Sequence, residues 1–264
     1  TLVWYDTDGV TVLSGAPTPS TTTVGTTTYY VAQSTPSGCE GSTSSITVTV
    51  DALPSAPSAT TSLSYCKDES SSALIATASS GNVLVWYDTD GITVLSGAPT
   101  PSTTSVGSQT YYVAQSNTTT GCEGPQTSIT ITVLTLPSAP SVGSTNIDYC
   151  EGAVASSLVA TALSGHTLVW YASDGVTVLS GAPTPVTSTV ATTVYRVSQE
   201  NGSGCESPQV AITVTVSADP GLPVVSDVSY CKDASASVLT ASASTGNTLV
   251  WYDTDGVTVL SGAP

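Results

Sequence analysis

Apolar and polar side chains alternate along this chain in short runs, and Gly, Pro, Asn or Ser closes each run before it reaches helical length. A period of two sends successive side chains to opposite faces, so these runs predict strands half-buried on a core and no long helix. Between residues 53 and 135 the predicted strands are about Ser62 to Cys66, Ala73 to Ala78, Val83 to Tyr87, Thr93 to Ser96, Thr110 to Gln115 and Ser128 to Leu134. On Val83 to Tyr87 the inward side chains should be Leu84 and Trp86, with Val85 and Tyr87 outward; on Thr110 to Gln115 they should be Tyr111 and Val113, with Tyr112 outward. In the next stretch of chain Tyr195 lies over Tyr111 and Arg196 over Tyr112, and an Arg belongs on the wet face. Six or seven short strands in about 83 residues, with a Trp in the third, are the signature of an immunoglobulin-like β-sandwich, in which Tyr111 is a candidate tyrosine corner.

The pattern repeats. Trp4, Trp86, Trp170 and Trp251 each open a Trp-Tyr pair, at spacings of 82, 84 and 81 residues, so the period is one small domain. Each pair leads into D-T-D-G or S-D-G and then V/I-T-V-L-S-G-A-P. A T-Y-Y-V or T-V-Y-R-V run and a G-C-E follow wherever the repeat continues. Leu53 to Ser58 and Leu136 to Ser141 both read L-P-S-A-P-S, and Asp219 to Pro223 takes their place once more. Proline pairs of this kind predict stiff, extended linkers. The expected organisation is the C-terminal part of a repeat at 1–52, whole repeats at 53–135 and 136–218, and the N-terminal part of another at 219–264. Residues 1–17 are identical to residues 248–264, an offset equal to the three spacings together. This phase reads as a window on a longer array of all-β, tandem immunoglobulin-like sandwiches.

Composition narrows the function classes. Only 8% of residues are charged, 19 acidic against 3 basic, for a formal charge of -16. Nucleic acid and anionic membrane surfaces need clustered Lys and Arg, so neither is an expected partner, and no membrane insertion is expected. Hydrophobic residues at 39% are too many for a disordered acidic tail, and roughly a third of the chain is Ser plus Thr, which suits solvated strand faces. The single His, His166, cannot supply a triad to every repeat, and it aligns with Asn82 and Asn247 as a turn residue. Paired carboxylates occur only in the turns and at Asp68/Glu69, and no nucleophile elbow, P-loop or dinucleotide fingerprint is present, so no catalytic residue is expected. Asn117-Thr118-Thr119 and Asn201-Gly202-Ser203 match glycosylation sequons but read equally as turns.

Six Cys in such a chain predict disulfides and an oxidising compartment. One set follows a Tyr (Cys66, Cys150, Cys231) and the other lies in G-C-E (Cys39, Cys122, Cys205). Pairing within a repeat would join Cys66 to Cys122 and Cys150 to Cys205 over near-equal spans; pairing across a junction would join Cys66 to Cys205. Both schemes stand on the sequence, and zinc is a third reading that lacks a C-x-x-C pair or a His partner. D-T-D-G at Asp6 to Gly9, Asp88 to Gly91 and Asp253 to Gly256 resembles the opening of a calcium loop. It lacks a third oxygen ligand before its Gly and the Glu at position twelve, where Pro17 stands, so a capped tight turn is the expected reading and no cofactor is expected.

The framework Y-C-K-D, L-V-W-Y-D, A-P-T-P-S-T, T-Y-Y-V-A-Q-S, G-C-E and I-T-I-T-V resembles the tandem immunoglobulin-like repeats of very large surface adhesins from Bacteroidetes, including gliding-motility adhesin filaments exported by type IX secretion. The resemblance runs the whole chain. It implies a stalk or filament segment at the cell surface, without enzymatic activity, whose partners are further repeats of the same chain. The alternative class is a module that binds surface glycans or sister filaments. Its candidate recognition residues are the outward pairs Tyr5 with Tyr30, Tyr87 with Tyr112, and Tyr171 with Arg196, expected on adjacent strands of one sheet.

Overall fold

The structure is a computed structural model and describes residues 1–264. It divides into two compact units, 1–135 and 136–264. All regular structure is β, and no helix is long and apolar enough to cross a membrane.

Residues 1–52 form one antiparallel sheet of β1 (Leu2–Tyr5), β2 (Val12–Leu13), β3 (Gly25–Gln33) and β4 (Ser44–Val50), in the order β2-β1-β3-β4. One face carries little cover, and among these residues only Ala32 is buried.

The following repeat contains β5 (Ser58–Ala59), β6 (Ser62–Cys66), β7 (Ala76–Thr77), β8 (Asn82–Tyr87), β9 (Val94–Leu95), β10 (Gly107–Asn117) and β11 (Thr127–Leu134). Its main sheet runs β6-β11-β10-β8-β9, with β6 parallel to β11 and the other pairs antiparallel. The second layer is short: β5 pairs only with β7. Between the layers Leu74, Trp86, Val113, Ile129 and Ile131 form a buried core, flanked by Leu63, Tyr65, Leu84 and Tyr111. Leu84 and Trp86 thus point inward as their alternation requires, and so do Tyr111 and Val113.

The strand expected over Ala73 to Ala78 shrinks to β7 for a physical reason. The chain alongside it contains Pro99 and Pro101. The Leu74 N–H donates to the Pro99 carbonyl at 2.9 Å, and the Asp68 N–H donates to the Thr103 carbonyl at 3.0 Å. The prolines have no N–H to return, so a regular ladder cannot form.

The next repeat reproduces the plan with β12 (Ser141–Val142), β13 (Asn146–Cys150), β14 (Ala160–Thr161), β15 (Thr167–Tyr171), β16 (Ala191–Glu200) and β17 (Val210–Ser217). Its sheet order is β13-β17-β16-β15, again with the first pair parallel, over a core of Leu158, Trp170, Val197, Ile212 and Val214. From 219 onward only β18 (Val224–Val225) and β19 (Ala241–Ser242) form, and no residue is buried.

Candidate functional site

The D-T-D-G turns are built the same way in every copy. In the second copy, Asp90 Oδ1 accepts the N–H groups of Ile92 and Thr93 at 2.8 Å each, and Oδ2 accepts the Thr93 hydroxyl at 2.6 Å. Asp8, Asp174 and Asp255 do the same for their own Thr11, Thr177 and Thr258. These bonds, the Thr hydroxyl first, hold all four carboxyls below the usual carboxylate range, Asp174 and Asp255 down to about 2. The Gly that follows sits at φ near +70°, at Gly9, Gly91, Gly175 and Gly256 alike. Both carboxylate oxygens of the second Asp are therefore engaged by the turn itself. Nowhere do three His, Cys, Asp or Glu side chains converge.

The expected outward aromatic pairs do lie side by side: Tyr5 opposite Tyr30, Tyr87 opposite Tyr112, and Tyr171 opposite Arg196. They do not form open platforms. Tyr87 is only 8% exposed and Tyr171 only 7%, because the face they point to is covered. Each Tyr hydroxyl donates to the Glu of the neighbouring G-C-E: Tyr5 to Glu40, Tyr87 to Glu123, and Tyr171 to Glu206 at 2.6 Å. The Glu123 bond and then burial push the Tyr87 hydroxyl up to about 12; for Tyr171 burial leads and Glu206 follows, with the same result.

Their partners are covered by the turns. A Cβ at Gly91 would lie 3.5 Å from the Tyr112 ring, one at Gly9 would lie 3.3 Å from Tyr30, and one at Gly175 would lie 3.2 Å from Arg196 Cδ. Gln126 and Gln209 tie the same turns down by donating to the Gly91 and Gly175 carbonyls at 3.1 and 2.9 Å. The alkyl stem of Arg196 covers its turn glycine as the Tyr112 ring covers Gly91. Tyr111, the candidate tyrosine corner, donates to the Gln109 side chain at 3.2 Å and not to the backbone.

Two buried glutamines have a role the strand pattern alone did not reveal. Gln115 is 1% exposed and Gln199 is fully buried. Gln115 Nε2 donates to the Ser55 carbonyl at 2.6 Å, while its Oε1 accepts the Ser79 N–H at 2.8 Å. Gln199 repeats this with the Ser138 carbonyl at 2.6 Å and the Leu163 N–H at 2.7 Å. The Thr127 hydroxyl adds a bond to the Pro57 carbonyl at 2.7 Å, and Pro57 is buried. The proline-rich segments expected as stiff, extended linkers are docked on the repeat that follows them. Gln33, at the same place in the first sheet, is exposed. The recurrence of Gln two residues after the inward Val, at Gln33, Gln115 and Gln199, was the available signal.

Cys66 and Cys205 are disulfide-bonded, whereas Cys39, Cys122, Cys150 and Cys231 carry free thiols. Cys122 and Cys150 are the residues that pairing within a repeat would have oxidised. Each repeat also has an open apolar cleft beside its short layer, about 440 Å³ in the later repeat, lined by Ile147, Tyr149, Leu158, Val159 and Ile212 among Ser and Thr. Leu63, Tyr65, Leu74, Ile75 and Ile129 line the smaller equivalent, about 140 Å³. Neither cleft presents a carboxylate, His or Lys to do acid–base work.

A two-layer sandwich with a parallel first pair, a core Trp on the second long strand and no convergent chemistry defines a tandem immunoglobulin-like protein, a domain type that is typically non-catalytic. The sequence model of the family described as "Ig-like domain CHU_C associated" matches residues 54–134 and again 137–217, and the chain belongs to that family. Comparison with the curated proteins found no match. Among solved structures, the chain is similar to fibronectin(III)-like modules of Clostridium thermocellum CbhA, at 15% identity over 60% of this chain and 91% of that one, with a TM-score of 0.33. It is also similar to Sidekick-1 immunoglobulin domains 1-4, at 13% identity over 82% of this chain and 67% of that one, with a TM-score of 0.27. Drosophila N-cadherin EC1-3 follows at 12% identity, 74% and 78% coverage and a TM-score of 0.25. An immunoglobulin-like repeat with a disulfide fits an extracellular or secreted protein.

Proposed function

We propose that this chain is a stretch of the stalk or filament of a repetitive bacterial cell-surface adhesin, of the kind exported by type IX secretion and used in gliding motility, and that its role is to set length and stiffness. The observation that carries this reading is the docked leading segment. Each whole repeat closes its own core and binds its own proline-rich segment through a buried Gln, which leaves almost no free chain between one repeat and the next. An array so made gains length by repetition while losing the flexible joints that would let it coil. The acidic, Ser- and Thr-rich surface supplies self-repulsion and solubility. No metal or other cofactor is assigned to this role.

A second reading, lateral contact between sister filaments, is favoured by a repeated apolar feature. Val10 and Val12, Ile92 and Val94, Val176 and Val178, and Val257 and Val259 are at least 60% exposed in every copy, beside the D-T-D-G turn. The chain should be passed over immobilised surface polysaccharides and over itself. The stalk reading expects no retention on the glycans, and saturable glycan binding would replace it with the binding-module class. Self-association lost in an Ile92→Ser, Val94→Ser variant would establish the lateral contact.

A further inference from the structure

Each whole repeat carries one cysteine at each end of its main sheet. Cys66 pairs in register with Leu134, the last residue of β11, whereas Cys122 precedes Thr127, the first residue of that strand. Seven steps at about 3.3 Å per residue put the two ends roughly 23 Å apart, far beyond the roughly 7 Å Cα separation a disulfide tolerates. The later repeat has the same layout, with Cys150 in register with Ser217 at the end of β17 and Cys205 ahead of Val210 at its start. The G-C-E cysteine marks the leading end of a repeat. Beside it, Gly124 lies against the docked segment so closely that a Cβ there would be 2.2 Å from the Pro54 carbonyl oxygen. The Y-C cysteine marks the trailing end, where the last strand runs out into the next repeat.

We infer that disulfides in this protein run from repeat to repeat, each joining the Y-C cysteine of one to the G-C-E cysteine of the next, and that this second chain of covalent links locks the array. Cys66 is a Y-C cysteine and Cys205 a G-C-E cysteine, and each is disulfide-bonded. The four free thiols divide between the same two classes, Cys150 and Cys231 following a Tyr and Cys39 and Cys122 lying in G-C-E. Local structure is ready at the leading ends: the Cys39, Cys122 and Cys205 carbonyls each accept the N–H of the residue that opens the loop, from Thr35, Asn117 and Asn201 at 2.9 to 3.0 Å. Forming each bond takes two thiols, releases two protons and passes two electrons to a protein or glutathione disulfide, which is reduced to thiols.

The inference deepens the stalk reading and rests on it for the presence of successive repeats. Residues 1–17 and 248–264 are identical, so two copies can be fused in phase as residues 1–264 followed by residues 18–264. This fusion, refolded in a glutathione redox buffer, should be digested without reductant and mapped. The expected links are Cys66 to Cys205 in each copy, Cys150 of the first copy to Cys39 of the second, and Cys231 of the first copy to Cys122 of the second. Labelled thiols should remain only at Cys39 and Cys122 of the first copy and at Cys150 and Cys231 of the second. Recovery of Cys66 linked to Cys122, or of Cys150 linked to Cys205, would overturn the rule, as would free thiols at the new junctions. Because the map reports connectivity and not length, it can fail while the fusion remains a rigid rod, and it can succeed in a flexible one.

Discussion

Replacing Gln115 with Ala tests whether the leading segment is part of the repeat or only rests on it. The substitution removes the bond to the Ser55 carbonyl and the bond from the Ser79 N–H, both made by a side chain that is 1% exposed. Each such bond is worth about 0.5 to 1.5 kcal/mol net. Loss of a buried methylene adds about 0.8 kcal/mol. Ser55 and Ser79 are exposed residues whose backbone groups regain water, so the further penalty for stranded polar groups does not apply in full. The expected cost is about 2 to 4 kcal/mol, less than the stability of an ordinary domain, about 5 to 15 kcal/mol. The repeat should therefore stay folded with its Trp86 core intact. Guanidinium titration followed by Trp fluorescence should show the transition at lower denaturant, and amide exchange over Leu53 to Ala59 should rise first and most. Gln33→Ala is the matched control: the same residue type, exposed, expected to change stability by less than about 0.5 kcal/mol. Equal effects of the two substitutions, or unchanged exchange in the segment, would refute the clamp.

Other outcomes follow from the same geometry. The depressed Asp carboxyls stabilise the turns above their unfolded pKa near 4, and that contribution should disappear as pH falls through about 2; Thr177→Val should raise the Asp174 value in a carboxyl NMR titration. Tyr87 and Tyr171 titrate higher folded than unfolded, so their contribution is whole below about pH 10 and should fade as pH rises towards 12; a Tyr87→Phe, Tyr171→Phe variant should lose that alkaline step. Asp68 sits at φ 64° in a turn where Gly152 stands in the later repeat, so Asp68→Gly should raise stability by up to about 1 kcal/mol in thermal melts. Gly91→Val combines φ +69° with crowding against Tyr112 and should cost at least about 1 to 2 kcal/mol.

How far the chain could be read beforehand depends on whether a feature is local. Residues 1–17 and 248–264 have one sequence and two structures. In both, the second Asp gathers the same three hydrogen bonds and the Gly takes the same φ, because the turn needs nothing outside itself. Yet Leu2–Tyr5 forms β1 against β3, while Leu249 to Tyr252 makes only a bridge from Tyr252 to Val259. A strand is a pairing, and its existence is decided by a partner distant in sequence. Alternation therefore located Leu84, Trp86, Tyr111 and Val113 correctly but could not see that Pro99 and Pro101 would deny residues 73–75 a ladder. The cover over the outward Tyr rings went unread for a related reason. Alternation tells which face a ring leaves by, not what comes to lie on that face, and here a turn glycine and a loop Glu do. The clamp was written in a single recurring Gln whose partners lie 60 and 61 residues back.

The central claim is that repetition produces length because the joints are stiff. Fusions of one, two and four copies joined through the shared 17-residue segment should be imaged by negative-stain electron microscopy. Particle length should rise in direct proportion to repeat number, with a narrow spread at each size. Growth with the square root of repeat number, the behaviour of a freely jointed chain, would contradict the account.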